Sequence, residues 1–146
     1  MQLSATRTVH RPAGEVFAFV ADSANNPKWQ KGMKLCVWTS LPPISVGSTY
    51  EQQAQFLGRT VVTSFRVEEY DEGRAITIAS TSGSFPITVR RSVEPIDEAT
   101  SQVTAAIHGD PGGFFRIAQP LVGRLAQRSV NADYDRLVDI LERPSG

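Results

Sequence analysis

The chain is poor in the residues that many enzyme chemistries and several binding modes require. Its 146 residues include one cysteine, Cys36, and two histidines, His10 and His108. A lone cysteine excludes an intrachain disulfide, and so small a ligand set argues against a zinc site. No metal and no cofactor is therefore expected. No GxGxxG, Walker-A, GxSxG or HExxH pattern occurs, so phosphate cradles, nucleophile elbows and zinc-protease helices have no local signature. An excess of either charge is also missing, since 15 Lys and Arg balance 15 Asp and Glu. Without a basic face to neutralise phosphates, nucleic acid is not an expected partner. No apolar run approaches the ~20 residues of a bilayer span, and the first residues lack an apolar signal core. The expectation is a cytoplasmic protein with no stable membrane insertion.

What is present is ordinary globular material, 40% hydrophobic and 21% charged. Its length suits one domain over residues 1–146 with a single core. Residues 2–9 alternate Leu3, Ala5 and Val9 against Ser4, Thr6 and Thr8, which reads as a strand. Pro12 suits a first helical turn, and Val16, Phe17, Phe19 and Val20 form an apolar stripe after it. "DSANNPKW" (Asp22 to Trp29) is turn chemistry with room for one more helical turn. From Leu35 to Ile107 strands and turns alternate, and the last thirty or so residues return to a helical period.

Cross-strand pairing sharpens the middle section. A two-residue turn at Gly58 and Arg59 sets Phe56 against Val61, Gln52 against Phe65 and Tyr50 against Val67. Later turns set Glu69 against Ile76, Ile78 against Ile87, Ile76 against Val89, Arg91 against Ala105 and Val93 against Val103. All four hairpins keep one greasy face, and a slip of one residue would turn it to water. The other face carries Glu51, Gln53, Ser64, Arg66 and Glu68, a solvated ladder without an apolar patch. Pro86 falls within a strand on the outer face and predicts a bulge or a missing ladder bond.

Two helical segments are available to cover the greasy face. The second, from about Gly113 to Glu142, would be roughly 45 Å long. Its first half, opening in "HGDPGGFFRIAQPLVGRLAQ", aligns Phe114, Ala118, Leu121, Val122, Leu125 and Ser129. Its second half aligns Val130, Tyr134, Leu137 and Leu141 on a rotated stripe. Either Pro120 bends the helix around a curved sheet, or the first half faces a cavity while the second packs tightly.

The order of elements, "RPAGEVFAFVADSANNPKW" (Arg11 to Trp29), "VGSTYEQQ" (Val46 to Gln53) and the ending "YDRLVDILER" resemble the polyketide cyclase/START-related superfamily, which includes pollen allergens and lipid-transfer domains. The resemblance covers essentially the whole chain and is specific for fold rather than function. It implies an α+β helix-grip fold: a curved seven-stranded antiparallel sheet around a long C-terminal helix, with two short helices between strands 1 and 2. It also implies an elongated apolar cavity. In the register above, the sheet would contribute Phe65, Ile78, Ile87 and Ile107 to that cavity, with polar Tyr50, Gln52, Thr63, Ser80 and Arg91. Phe56 and Phe85 would form the rim beside glycine-rich loops where a ligand enters. The helix would add Phe114, Ala118, Leu121 and Leu125.

Two readings of the polar groups stay open. Gln52, Thr63 and Ser80 could satisfy backbone in a filled core, or anchor a ligand. Arg91 and Arg7 could lock the sheet to Asp133, Asp135 or Asp139 of the helix, or hold a ligand's carboxylate or phosphate. His10 and His108 fall near opposite ends of neighbouring strands, too far apart to share a metal. Trp29 reads as packing behind the first helices, and Trp38 could take either face. The expected function is binding or carriage of a hydrophobic small molecule, lipid- or polyketide-like. The alternative is a cyclase or dehydratase using Tyr50, Glu69 and Arg91 as donor, base and oxyanion or carboxylate holder. A protein-partner module using the outer face, or a weak homodimer, remains a further option.

Overall fold

The computed structural model describes residues 1–56, 58–83, 86–109 and 119–144, without the side chains of Phe56, Gln119 and Pro120. The alternating N-terminal segment is strand β1 (Gln2–Val9), with Ala5 and Val9 buried and Ser4, Thr6 and Thr8 exposed. Pro12 stands just ahead of helix α1 (Ala13–Ala21) rather than inside its first turn. The Pro12 carbonyl accepts the Glu15 and Val16 amides, and Val16, Phe17, Val20 and Ala21 are the buried stripe. Asp22 stops the helix and caps a 3-10 turn, its Oδ1 accepting the Ala24 N–H at 3.1 Å. The extra turn before Trp29 is helix α2 (Asn26–Trp29).

Six further strands follow: β2 (Met33–Trp38), β3 (Thr49–Phe56), β4 (Arg59–Asp71), β5 (Ala75–Ser82), β6 (Ile87–Asp97) and β7 (Thr100–Gly109). Helix α3 (Gln119–Glu142) ends the chain's regular structure. All seven strands form one antiparallel sheet in the order β1-β7-β6-β5-β4-β3-β2, so the last strand closes beside the first. This is the expected α+β arrangement of a curled sheet, short helices after β1 and a long terminal helix.

The register differs from expectation in two ways. Tyr50 pairs with Phe65 and Gln52 with Thr63, and Ile78 pairs with Val89. Each is displaced by two residues from the expected partner. Two residues is one full side-chain period, so every side chain keeps its face. The turn behind the first displacement is one residue earlier than expected, with Gly58 at φ +76°, a conformation glycine adopts without strain. The second difference does change a face. Between Val67↔Ile78 and Glu69↔Thr77 a bulge takes up one residue, so Glu69 turns outward. Around Pro86 the β5–β6 pairing stops at Ala79↔Thr88, and the Ile87 N–H turns instead to Ser80 Oγ at 2.9 Å.

The outer face is also less polar than expected. Leu35 of β2 and Val62 of β4, each about half exposed, sit on either side of Gln53, and Val37 is equally exposed. On the inner face α1 lies over β5, β6 and β7, and α3 runs along β1. Val67, Val93, Val103 and Leu137 are wholly excluded from solvent, and Tyr134 is 3% exposed. Thus the second half of α3 packs tightly, as its stripe suggested. Leu121 and Leu125 do not face inward; they are 62% and 54% exposed. The cause is helical geometry. At about 100° per residue, a straight helix that buries Tyr134 and Leu137 carries Leu121 and Leu125 to nearly its opposite side.

Candidate functional site

Along β6 the inward side chains run Ile87, Val89, Arg91, Val93, and along β4 Val61, Thr63, Phe65, Val67. In both strands the last is solid core while the earlier ones border empty space. Two adjoining cavities occupy that space, of about 180 and 170 Å3. They share Gln30, Met33, Gln52, Phe65, Ile87 and Asp133 as walls. The first extends past Ala54, Val61 and Thr63 to Ser129 of α3. The second reaches inward to Tyr50, Ile78, Val89, Arg91, Ile107 and Tyr134. An apolar cavity of about 150 Å3 is enough to take a benzene-sized guest. Gly83 closes on the first cavity's wall, for a Cβ there would fall 2.9 Å from Thr63 Oγ1.

The inner cavity has a polar end. Arg91 is 7% exposed, donates from Nε to Tyr134 Oη at 3.1 Å, and lies over the Trp29 ring, 5.2 Å from its centroid. Tyr50 is stacked on Phe65 and meets the edge of Trp38, whose Nε1 donates to Asp22 Oδ1 at 2.8 Å. Trp38 is thereby oriented by the cap of the 3-10 turn. Burial pushes the Tyr50 phenol well above its usual range, against smaller opposing pulls from Arg91 and Ser23. The Ser23 hydroxyl is a polar neighbour of its oxygen, but no hydrogen bond of ordinary geometry reaches that oxygen among the described residues, and none reaches Asn26 Oδ1, Trp29 Nε1 or Gln30 Nε2. Burial likewise pushes the Cys36 thiol up to about 11, so it is no nucleophile at neutral pH. Asp133, on the wall common to both cavities, is raised by burial, although its Oδ1 accepts from the Lys31 N–H and from Arg136 Nη1, both at 3.1 Å.

With this geometry in hand, comparison with known proteins is decisive for the family. A family model for polyketide cyclase/dehydrase and lipid transport proteins matches residues 1–144. The chain belongs to that family. A START superfamily protein from Mycobacterium smegmatis superposes with a TM-score of 0.80 at 20% identity, over 97% of each chain. The Zhui aromatase/cyclase from Streptomyces sp. R1128 does so with 0.77 at 15%, over 98% of this chain and 94% of that one. TTHA0849 from Thermus thermophilus gives 0.82 at 16%, over 97% of each. At these identities the likeness is one of fold. No curated protein matches by sequence.

In this member of the polyketide cyclase/dehydrase and lipid transport family, Tyr50, Gln52, Thr63, Phe65, Ile78, Ile87, Arg91 and Ile107 all border the cavities. Ser80 is spent on the Ile87 amide instead. Leu121 and Leu125 lie on the exposed side of α3. Phe85, Phe114, Ala118 and the side chain of Phe56 fall outside the described residues. Glu69 is corrected: it is exposed, accepts from Thr77 Oγ1 at 2.8 Å and Arg90 Nε at 3.1 Å, and these bonds hold its carboxyl below the usual range. It cannot serve as a base inside the hollow. Of the two expected arginine locks, only Arg7 forms one among the described residues, to Asp135 Oδ1 at 2.7 Å. His10 meets Glu142 and His108 meets Gln2, so the two histidines are apart. Asn26, Gln30, Met33 and Asp133 went unforeseen as walls. Their one signal was position, since α2 and the middle of α3 flank a stretch where the facing residues are small or polar.

Proposed function

We propose that the protein binds a hydrophobic small molecule, lipid- or polyketide-like, between the sheet and α3, and carries it rather than transforming it. The observation behind this is the pair of adjoining cavities, whose walls present mostly apolar surface interrupted by polar side chains such as Gln52, Thr63, Arg91 and Asp133, a mixture that suits a small-molecule site. The family's breadth, from lipid transport to cyclisation, accommodates the reading. Native mass spectrometry of freshly purified protein tests it. A carrier shows an adduct of small-molecule mass that organic solvent removes. Bare protein that also takes up no amphiphile on titration would contradict it.

A second reading has one specific observation in its favour. Asp133, raised by burial, borders the same space as Tyr50 and Arg91, which is the kind of acid and donor set a cyclase or dehydratase needs. On that reading Asp133→Asn abolishes turnover of a polyketide chain while leaving its binding intact. Unchanged turnover in the variant would dismiss it.

A further inference from the structure

The inner end of the hollow is unbalanced in both charge and hydrogen bonding. Arg7, Arg90 and Arg136 each reach a carboxylate. Arg91, the one buried charged side chain among the described residues, reaches no carboxylate among them. Its guanidinium can donate five N–H bonds, yet among the described residues its one side-chain hydrogen bond runs from Nε to the Tyr134 hydroxyl. The Trp29 ring face offers a partial counter-charge but no acceptor for the N–H fork. A cation sequestered this way is costly unless paired and hydrogen-bonded.

The neighbouring free groups are mostly donors. Tyr50 is 1% exposed and Trp29 1% exposed, both border the inner cavity, and both Tyr50 Oη and Trp29 Nε1 lack a partner. Gln30 Nε2 is a third free donor on the same walls. Asn26 Oδ1 is the one free acceptor among the described residues there. Asp133, the acid on the same walls, is already engaged by Arg136 and the Lys31 amide. The rest of the inner wall is Ile78, Val89, Ile107 and Val130. A single fixed cation beside free donors in an apolar setting complements a planar head that only accepts and carries one negative charge. A carboxylate fits that description and can meet the guanidinium fork through both oxygens. A phosphate monoester brings nearly two charges to one cation.

We propose that the hollow selects a monocarboxylate amphiphile, held head-inward with its carboxylate between Arg91 and Tyr50 and its tail directed past Phe65 toward Ala54 and Val61. This rests on the ligand-binding reading above and adds to it the head group and the ligand's direction.

Calorimetric titration of the full chain with decanoate, decan-1-ol and decyl phosphate tests it. Decanoate binds at least about tenfold more tightly than decan-1-ol, as one charge-assisted bidentate contact warrants. Arg91→Met lowers decanoate to the affinity of decan-1-ol. Tyr50→Phe weakens decanoate by about tenfold or more, one hydrogen bond to a charged group, and weakens decan-1-ol less. It changes the melting temperature little, because no hydrogen bond of ordinary geometry reaches the hydroxyl it deletes among the described residues. Should Arg91→Met fail to fold, Arg91→Lys retains the charge without the fork and still weakens decanoate selectively. Equal affinity for decanoate and decan-1-ol, or tighter binding of decyl phosphate, overturns the carboxylate assignment and leaves ligand binding standing. Binding of none of the three overturns both.

Discussion

The two ends of the inner face are built from the same strands yet solve different problems. At one end Val67, Val93, Val103 and Leu137 meet with no solvent between them. At the other, Gln52, Thr63 and Ala54 look across at Ser129, and the space stays open. The same strands run through both ends, although β4 carries register shifts at Ser64/Phe65 and Val67/Glu69 and the β5–β6 pairing stops at Ala79↔Thr88. The difference lies in what covers them. α1 presses Val16, Phe17 and Val20 onto one end, whereas among the described residues the middle of α3 offers Ser129, Val130 and Asp133 to the cavities. A hollow in this fold therefore follows from which side chains are withheld, and it sits beside a core that holds the sheet and helix together.

Substitutions can probe each end. Leu137→Ala removes a side chain from the filled end and is expected to cost about 2–5 kcal/mol in chemical denaturation; a loss under about 1 kcal/mol would mean that end is not solid. Adding volume separates the ends further. Val103→Leu overpacks the filled end at a cost of about 1–3 kcal/mol. Ala54→Leu enters open space, so its stability stays within about 0.5 kcal/mol of the parent, while affinity for a hydrophobic ligand falls. Equal destabilisation by the two would remove the contrast. A small effect is also expected at the seam between β1 and α3. Arg7→Ala deletes the bond to the mostly exposed Asp135 and should cost no more than about 1 kcal/mol, less at high salt. A larger, salt-independent loss would give that seam a structural weight its exposure does not suggest.

Much of the fold was legible because its signals have periods. Strand alternation is unaffected by an error of two residues, so the greasy face survived even where the pairing of Tyr50 or Ile78 was misplaced. The bulge after Val67 has no such protection. Glu68 and Glu69 are the same residue type, and nothing local says which of them the strand will turn outward; both are exposed. Composition misleads at Leu121 and Leu125, where apolar character does not mean inward aim, because exposed leucines are common on folded surfaces. Arg91 misleads in the opposite sense. A buried guanidinium ordinarily finds an acid, but Asp135 goes to Arg7 and Asp133 to Arg136. Those allocations depend on the exact crossing of α3 over the sheet, a tertiary fact that no sequence period encodes.

Methyl-resolved NMR of the full chain during titration with decan-1-ol examines the hollow most directly, since that probe carries no charge for Arg91 to recognise. Shifts concentrated at Ile78, Ile87, Ile107 and Val130, with Val93, Val103 and Leu137 unmoved, are the predicted outcome. Shifts confined to Leu35, Val37 and Val62 on the outer face, or none anywhere, would mean that no guest occupies the space beneath α3.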